Sequence, residues 1–270
     1  MLTRIISSII LIPLVIYLIY TGGIAFTAFM FLINLIGLHE FYKLCAVKKI
    51  ETFSYPAYLV SALYFFNVHF NFANDSAHKF EFSPILILGF VFIILWLQHG
   101  KKIAGSIITT AATTFGFLYI SVFLSFAVYI RQLAHGEKLL FTIILMIWAA
   151  DTFAYFGGRA FGKHRLSPEI SPKKSTEGVF AGIFGTLTAA CFSFVYLNVP
   201  QLNLAMYLTL AFILNSFSVL GDLIESQFKR DCDVKDSSGL IPGHGGILDR
   251  IDSLLLSFPF AYYFFAMILK

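Results

Sequence analysis

The chain is patterned as long apolar runs separated by short polar breaks, with no strict alternation of apolar and polar positions. Nine runs stand out, at 5–20, 24–42, 55–72, 83–98, 104–130, 139–157, 178–198, 203–228 and 254–269. A helix needs about 20 mostly apolar residues to cross a bilayer, and a run of this length is too long for a buried strand. The pattern therefore predicts an all-α, polytopic membrane protein with about nine transmembrane helices. The run at 104–130 is long enough to tilt or protrude, and Gly22-Gly23 marks the break after the first. The N-terminal run resembles a signal peptide in its charge pattern, yet no small-x-small cleavage site follows, so it is expected to be a retained span.

Composition strengthens this reading. Hydrophobic residues make up 58% of the chain, aromatic residues 17% and charged residues only 13%, against about 25% charged in an ordinary soluble domain. So few charges cannot coat a globule of 270 residues. The net charge of +4 comes without the basic run that nucleic-acid binding requires, which argues against such a partner. Cys45, Cys191 and Cys232 form an odd set with no C-x-x-C pair, unlike a disulfide framework or a zinc site.

Cations and acids are both unevenly distributed. With nine spans, 15 of the 19 Lys and Arg residues fall on one side, and the other side keeps only Lys79, Arg131, Lys138 and Lys270. By the positive-inside rule the cation-rich side is expected to be cytoplasmic, with the N-terminus inside; the expected location is a cell inner or plasma membrane. Ten of the 15 acidic residues lie between Asp151 and Asp252. The expected organisation is thus a transmembrane scaffold over 1–138 and a chemistry-bearing transmembrane region over 139–270.

Four pieces of that second region converge on the cytoplasmic side. The first is Trp148–Arg159, where Asp151 sits at membrane depth and Tyr155 follows one turn later; such a carboxylate costs about 2.5–3.5 kcal/mol on insertion scales unless paired or solvated. The second, Ser171–Gly178, offers Lys173, Lys174, Ser175 and a helix N-terminus as an anion cradle, although a basic pair touching lipid headgroups fits equally. The third, Gly221–Arg230, puts Asp222, Glu225, Ser226 and Lys229 on one helical stripe, which must point into protein or a water-filled cavity. The fourth runs from Lys235 to Asp252. Gly243, Gly245 and Gly246 allow close backbone approach to a bound phosphate, and Asp249 and Asp252 stand three apart. Carboxylates beside a glycine-rich, cationic loop suit Mg²⁺ held against nucleotide phosphates. The set as a whole is that of phosphoryl or nucleotidyl transfer.

Together these residues resemble a known family. Ser226-x-Phe228-Lys229-Arg230-x4-Lys235-Asp236-x-Ser238-x2-Ile241-Pro242-x-His244-Gly245-Gly246-Ile247-x-Asp249-Arg250-Ile251-Asp252 resembles the signature of the phosphatidate cytidylyltransferases, or CDP-diacylglycerol synthases, at each fixed position. Asp151–Tyr155 with Gly158-Arg159, and Ser171–Ser175 with Glu177-Gly178, are similar to two further blocks of that family. The motifs cover roughly residues 148–253; the first half is similar in layout only.

The resemblance implies an all-helical membrane enzyme of phospholipid biosynthesis that converts CTP and phosphatidate to CDP-diacylglycerol and pyrophosphate, depends on Mg²⁺, and forms a homodimer. Carried onto this chain, it makes Asp222, Asp249, Asp252, Lys173, Lys229 and Arg230 the expected catalytic residues. Asp151, Asp222, Glu225, Asp249 and Asp252 are the expected metal ligands. Lys174, Ser175, Lys235, Gly243, His244, Gly245, Gly246 and Arg250 are expected to contact the nucleotide. A transporter would place its polar residues near the midplane, usually with internal repeats, and no repeat is evident. CDP-alcohol phosphotransferases and prenyltransferases carry aspartate motifs that this chain lacks. A lipid or dolichol kinase is closer in chemistry and is separated by assay.

Overall fold

The computed structural model describes residues 2–72, Gly89, 104–241, Gly243 and 245–269. Its helices are α1 (Leu2–Thr21), α2 (Gly23–Val47), α3 (Ser54–Phe72), α4 (Ser106–Gln132), α5 (Gly136–Phe161), α6 (Thr176–Tyr196), α7 (Leu204–Asp231) and α8 (Leu248–Ile268). Eight of the nine expected runs are thus helical, and the run at 83–98 lies outside the described residues. Six helices, α2 and α4 to α8, are long and apolar enough to span a bilayer, so the protein is a multi-pass membrane protein, while the count of nine is not reached among the described residues. Large apolar side chains such as Leu32, Leu63, Phe184 and Tyr196 are exposed, as expected where lipid is the solvent.

The chain packs as two compact units. One comprises Met1–Gln132 with Asp231–Arg250; the other comprises Leu133–Arg230 with Ile251–Lys270.

In the first unit, α2, α3 and α4 share a core of Phe41, Tyr42, Tyr64, Phe65 and Phe117. Polar side chains inside it are paired at two places: the Tyr42 hydroxyl donates to the Thr113 carbonyl at 2.9 Å, and Asn34 Nδ2 donates to Ser61 Oγ at 2.6 Å. Helix α4 accommodates its length with a π-helical stretch at Phe117–Val122, where an inserted residue shifts the buried face. Arg131, near the end of α4, donates to the last carbonyls of α1, at 2.6 Å to Ile19 and 3.0 Å to Tyr20, which are otherwise orphaned at a helix C-terminus.

In the second unit, α5 and α6 pack closely because small residues line their seam. A Cβ added to Gly182 would lie 2.8 Å from Asn215 Oδ1 and 3.3 Å from the Ala150 carbonyl; one added to Gly185 would lie 2.7 Å from the Ala149 carbonyl. In lipid, such close van der Waals packing replaces the hydrophobic drive between helices. Gly182→Leu is expected to destabilise this pair by about 1–3 kcal/mol, the usual cost of overpacking. The thermal midpoint of the purified protein in detergent checks this, and an unchanged midpoint would contradict the seam.

Between α5 and α6 the chain forms an antiparallel hairpin, β1 (Arg165–Ser167) with β2 (Ser171–Ser175), pairing Arg165 with Ser175 and Ser167 with Ser171. This small sheet was not anticipated; it is short and leaves the all-α class intact. Ser175 then caps α6, its hydroxyl accepting from the Gly178 amide at 3.1 Å.

Candidate active site

The second unit holds a cavity of about 590 Å³ at the junction of α5, the hairpin, α6 and α7. Its wall carries two carboxylates, Asp151 and Asp222, and four cations, Arg159, Arg165, Lys173 and Lys174, together with Tyr155, Ser175 and Ser218. The topology explains the grouping. Asp151 and Tyr155 share a face of α5, the hairpin carries Arg165, Lys173 and Lys174 back over the end of that helix, and α7 adds Ser218 and Asp222 at i, i+4. Three small residues, Gly158, Gly162 and Gly178, let these backbones meet: a Cβ on Gly158 would lie 3.1 Å from Ser175 Oγ, and one on Gly178 would lie 3.0 Å from the Ala154 carbonyl.

Asp222 is fully engaged. Its Oδ2 lies 2.5 Å from Lys174 Nζ, and its Oδ1 accepts from Ser226 Oγ at 3.1 Å. One turn on, buried Glu225 pairs with buried Lys229. The predicted stripe of α7 therefore points inward, as a polar stripe on a membrane helix must. Asp252, half-buried on α8, stands within electrostatic reach of Asp222, Asp151 and Lys229. At this level α7 and α8 nearly touch, for a Cβ on Gly221 would collide with the Asp252 carbonyl. Arg230 is exposed and donates from Nε to the Ile170 carbonyl in the hairpin turn at 3.3 Å. Glu177 locks the hairpin's base: it accepts from the Lys163 amide at 3.1 Å and pairs with His164 Nδ1 at 2.6 Å.

The glycine-rich segment belongs to the first unit. Asp249 Oδ2 accepts three bonds from its own loop, from the Ser237 amide at 2.9 Å, Ser237 Oγ at 2.8 Å and the Gly246 amide at 2.8 Å. Gly243 (φ 78°) and Gly245 (φ 82°) adopt the left-handed conformation that other residues rarely tolerate, and the Ile241 amide closes the turn onto the Gly245 carbonyl at 2.8 Å. Lys235 and Arg250 are exposed. His244 lies outside the described residues.

The expected site residues thus divide by unit. Asp151, Asp222, Lys173, Lys174 and Ser175 line one cavity, with Glu225, Lys229 and Arg230 on α7, which helps build it, and Asp252 on α8 in the same unit. Lys235, Gly243, Gly245, Gly246, Asp249 and Arg250 are in the other unit. Among the described residues, no three His, Cys, Asp or Glu side chains group closely enough to hold a metal ion by themselves. The residues present still fit Mg²⁺, which typically takes one or two carboxylates and completes its shell with water and substrate phosphates. Asp151 and Asp222 are hard oxygen donors in one cavity, and an ammonium already lies against Asp222.

Three contributors were missed at the level of sequence. Arg159 stood in a motif without an assigned role, and Arg165 carried no signal of its own. Glu40, a single carboxylate inside the apolar run 24–42, is 2% exposed and accepts bonds from the glycine-rich segment; its signal was its depth in a span.

A family model described as the cytidylyltransferase family matches residues 2–268. The chain is 34% identical over 279 residues to the phosphatidate cytidylyltransferase of Bacillus subtilis, covering 98% of this chain and 97% of that one. It is also 34% identical over 294 residues to the enzyme of that name from Synechocystis sp., covering 98% and 97%. Over 139 residues it is 50% identical to the Haemophilus influenzae phosphatidate cytidylyltransferase, about half of each chain. With a match spanning nearly its whole length, the chain belongs to the cytidylyltransferase family.

Proposed function

We propose that this protein is an integral membrane phosphatidate cytidylyltransferase that makes CDP-diacylglycerol and pyrophosphate from CTP and phosphatidate. The observation that carries this reading is the cavity lined by Asp151 and Asp222 with four surrounding cations, in a chain of this family.

In this reading a phosphate oxygen of phosphatidate attacks the α-phosphorus of CTP. The new phosphorus–oxygen bond forms as the bond to the bridging α–β oxygen breaks, and pyrophosphate leaves with that electron pair. A phosphomonoester has a second pKa of about 6, so near neutral pH the nucleophile is already anionic and needs no general base. The protein's task reduces to alignment and charge neutralisation. Lys173, Arg159 and Arg165 line the cavity wall and would balance the phosphates. Lys174 would hold Asp222 in place until a triphosphate competes for its ammonium. Lys229 would balance buried Glu225 on its own helix, and Arg230, tied to the hairpin, would act mainly by fixing α7 against it. Asp151 and Asp222 would hold Mg²⁺, with Asp252 adding negative potential. That ion would neutralise the triphosphate. The cation-rich side would face the cytoplasm, where CTP is found, with the N-terminus inside and the acyl chains left in the lipid.

The test separates this reaction from its nearest alternative. Purified protein incubated with phosphatidate is expected to move label from the α-phosphate of CTP into a CDP-lipid, and to release label from the γ-phosphate as pyrophosphate. Lipid labelled from the γ-phosphate would mark a kinase instead, and no labelled lipid from either would overturn the assignment.

A further inference from the structure

Helix α2 carries a buried carboxylate, Glu40, that the proposed reaction leaves without a role. Glu40, Leu44 and Lys48 follow one another at intervals of four residues, so they line one face of the helix and its end. All three meet the chain at the end of α7 or in the segment that follows it. Lys48 Nζ pairs with Asp231 at 3.2 Å, and the Leu44 carbonyl accepts from Cys232 Sγ at 3.3 Å. The Glu40 carboxylate accepts four bonds: from Ser238 Oγ at 2.5 Å, Ser237 Oγ at 3.0 Å, the Ile247 amide at 3.1 Å and the Leu248 amide at 2.8 Å. The Leu248 amide opens α8, so the carboxylate also sits at a helix N-terminus, where backbone amides lack intrahelical acceptors and negative charge is favoured. Gly246 is small for the same reason, since a Cβ there would lie 2.6 Å from either Glu40 oxygen.

We propose that Glu40 is a positioning residue: its buried carboxylate clamps both ends of the glycine-rich segment, Ser237-Ser238 and Ile247-Leu248, to α2. The physical ground is the number of donors satisfied by one side chain. A carboxylate offers about four lone-pair sites, and here four donors fill them. Charge-assisted bonds of this kind are roughly twice as strong as neutral ones. Asp249, next to the segment, also reaches Ser237 and Gly246, but it does not tie them to α2. An amide at position 40 would present N–H groups to at least one of these donors and lose that bond. That Glu40 thereby governs nucleotide use rests on the proposed function.

The test is made on the full-length protein in lipid nanodiscs, with Glu40→Gln and Glu40→Asp beside wild type. Amide hydrogen exchange over 236–248 reads loop order without reference to activity, and CDP-lipid formation reads its consequence. For Glu40→Gln, exchange at 246–248 is expected to rise at least tenfold while the α5–α6 seam stays protected. The kcat/KM for CTP is expected to fall at least tenfold, with the KM for phosphatidate within twofold of wild type. Glu40→Asp should recover part of both effects. Unchanged exchange over 246–248 would overturn the proposal, as would an equal loss for both substrates with no recovery in Glu40→Asp. If Glu40→Gln does not fold, the same exchange measurement on Glu40→Asp decides. A wild-type protein that forms no CDP-lipid would sink the substrate assignment and leave the clamp to be judged by exchange alone.

Discussion

Asp222→Asn is expected to lower kcat/KM for CDP-lipid formation on the order of 10²–10³-fold, equivalent to about 3–4 kcal/mol of transition-state stabilisation. The substitution keeps the size of the side chain and an oxygen to accept from Ser226 Oγ, now 3.1 Å away. It removes the negative charge facing Lys174 Nζ at 2.5 Å. Only Asp151 would then oppose the four cations of the cavity wall, so a divalent ion would lose one of two carboxylates and the triphosphate would meet an unbalanced positive surface. Folding should survive. The side chains of Lys174 and Asp222 are 25% and 32% exposed, and an ion pair open to solvent to that degree contributes about 1 kcal/mol or less. Steady-state kinetics beside gel filtration in detergent separate the two effects. Turnover within a few-fold of wild type would remove Asp222 from the reacting site.

The second large effect is expected from Gly221→Val, one residue earlier. A Cβ at this position runs into the Asp252 carbonyl, with Ser253 Cα 3.5 Å away. The obstacle is backbone on a neighbouring helix, which cannot turn aside as a flexible side chain could. Relief requires α7 and α8 to separate, and such overpacking costs about 1–3 kcal/mol in stability. The functional cost should be greater, because Asp222 and Asp252 flank the contact and a displacement near 1 Å at a reacting centre can cost about a hundredfold. Activity is expected to fall at least tenfold, with a lower thermal midpoint. Stacking of Phe217 on Phe260, whose ring centroids lie 3.5 Å apart across the same pair of helices, should weaken together with it. A fully active Gly221→Val protein would contradict the close approach.

Much of the fold was legible because lipid imposes a simple requirement. Apolar runs must become helices when every backbone polar group needs an internal partner, so eight runs could be placed to within a few residues. The hairpin at 165–175 was not legible. Its strands are three and five residues long, and Pro168 and Pro172 interrupt any alternation. The π-helical stretch in α4 was equally hidden, since nothing in Phe117–Val122 marks an inserted residue. The α5–α6 seam was legible in principle: Gly178 and Gly182 form a G-x-x-x-G within an apolar run.

At the candidate site, chemistry was easier to read than partnership. That Asp222 faces inward follows from its position in a span, but that it meets Lys174 rather than Lys229 depends on how the hairpin folds over α7. Glu40 was overlooked because the resemblance lies in the second half of the chain. The average hydropathy of α2 also conceals a single acid, and four donors brought from roughly 200 residues away in sequence are what make that acid tolerable there.

The grip of α2 on the segment after α7 bears on how this enzyme can be cut down or recombined. A fragment starting near residue 139 would retain the acids and cations of the cavity wall, yet its glycine loop would have no anchor. A chimaera joining this C-terminal half to a relative's first spans would need an acid at the corresponding depth. The opening helices, easily taken for ballast, are therefore part of the machine's working inventory.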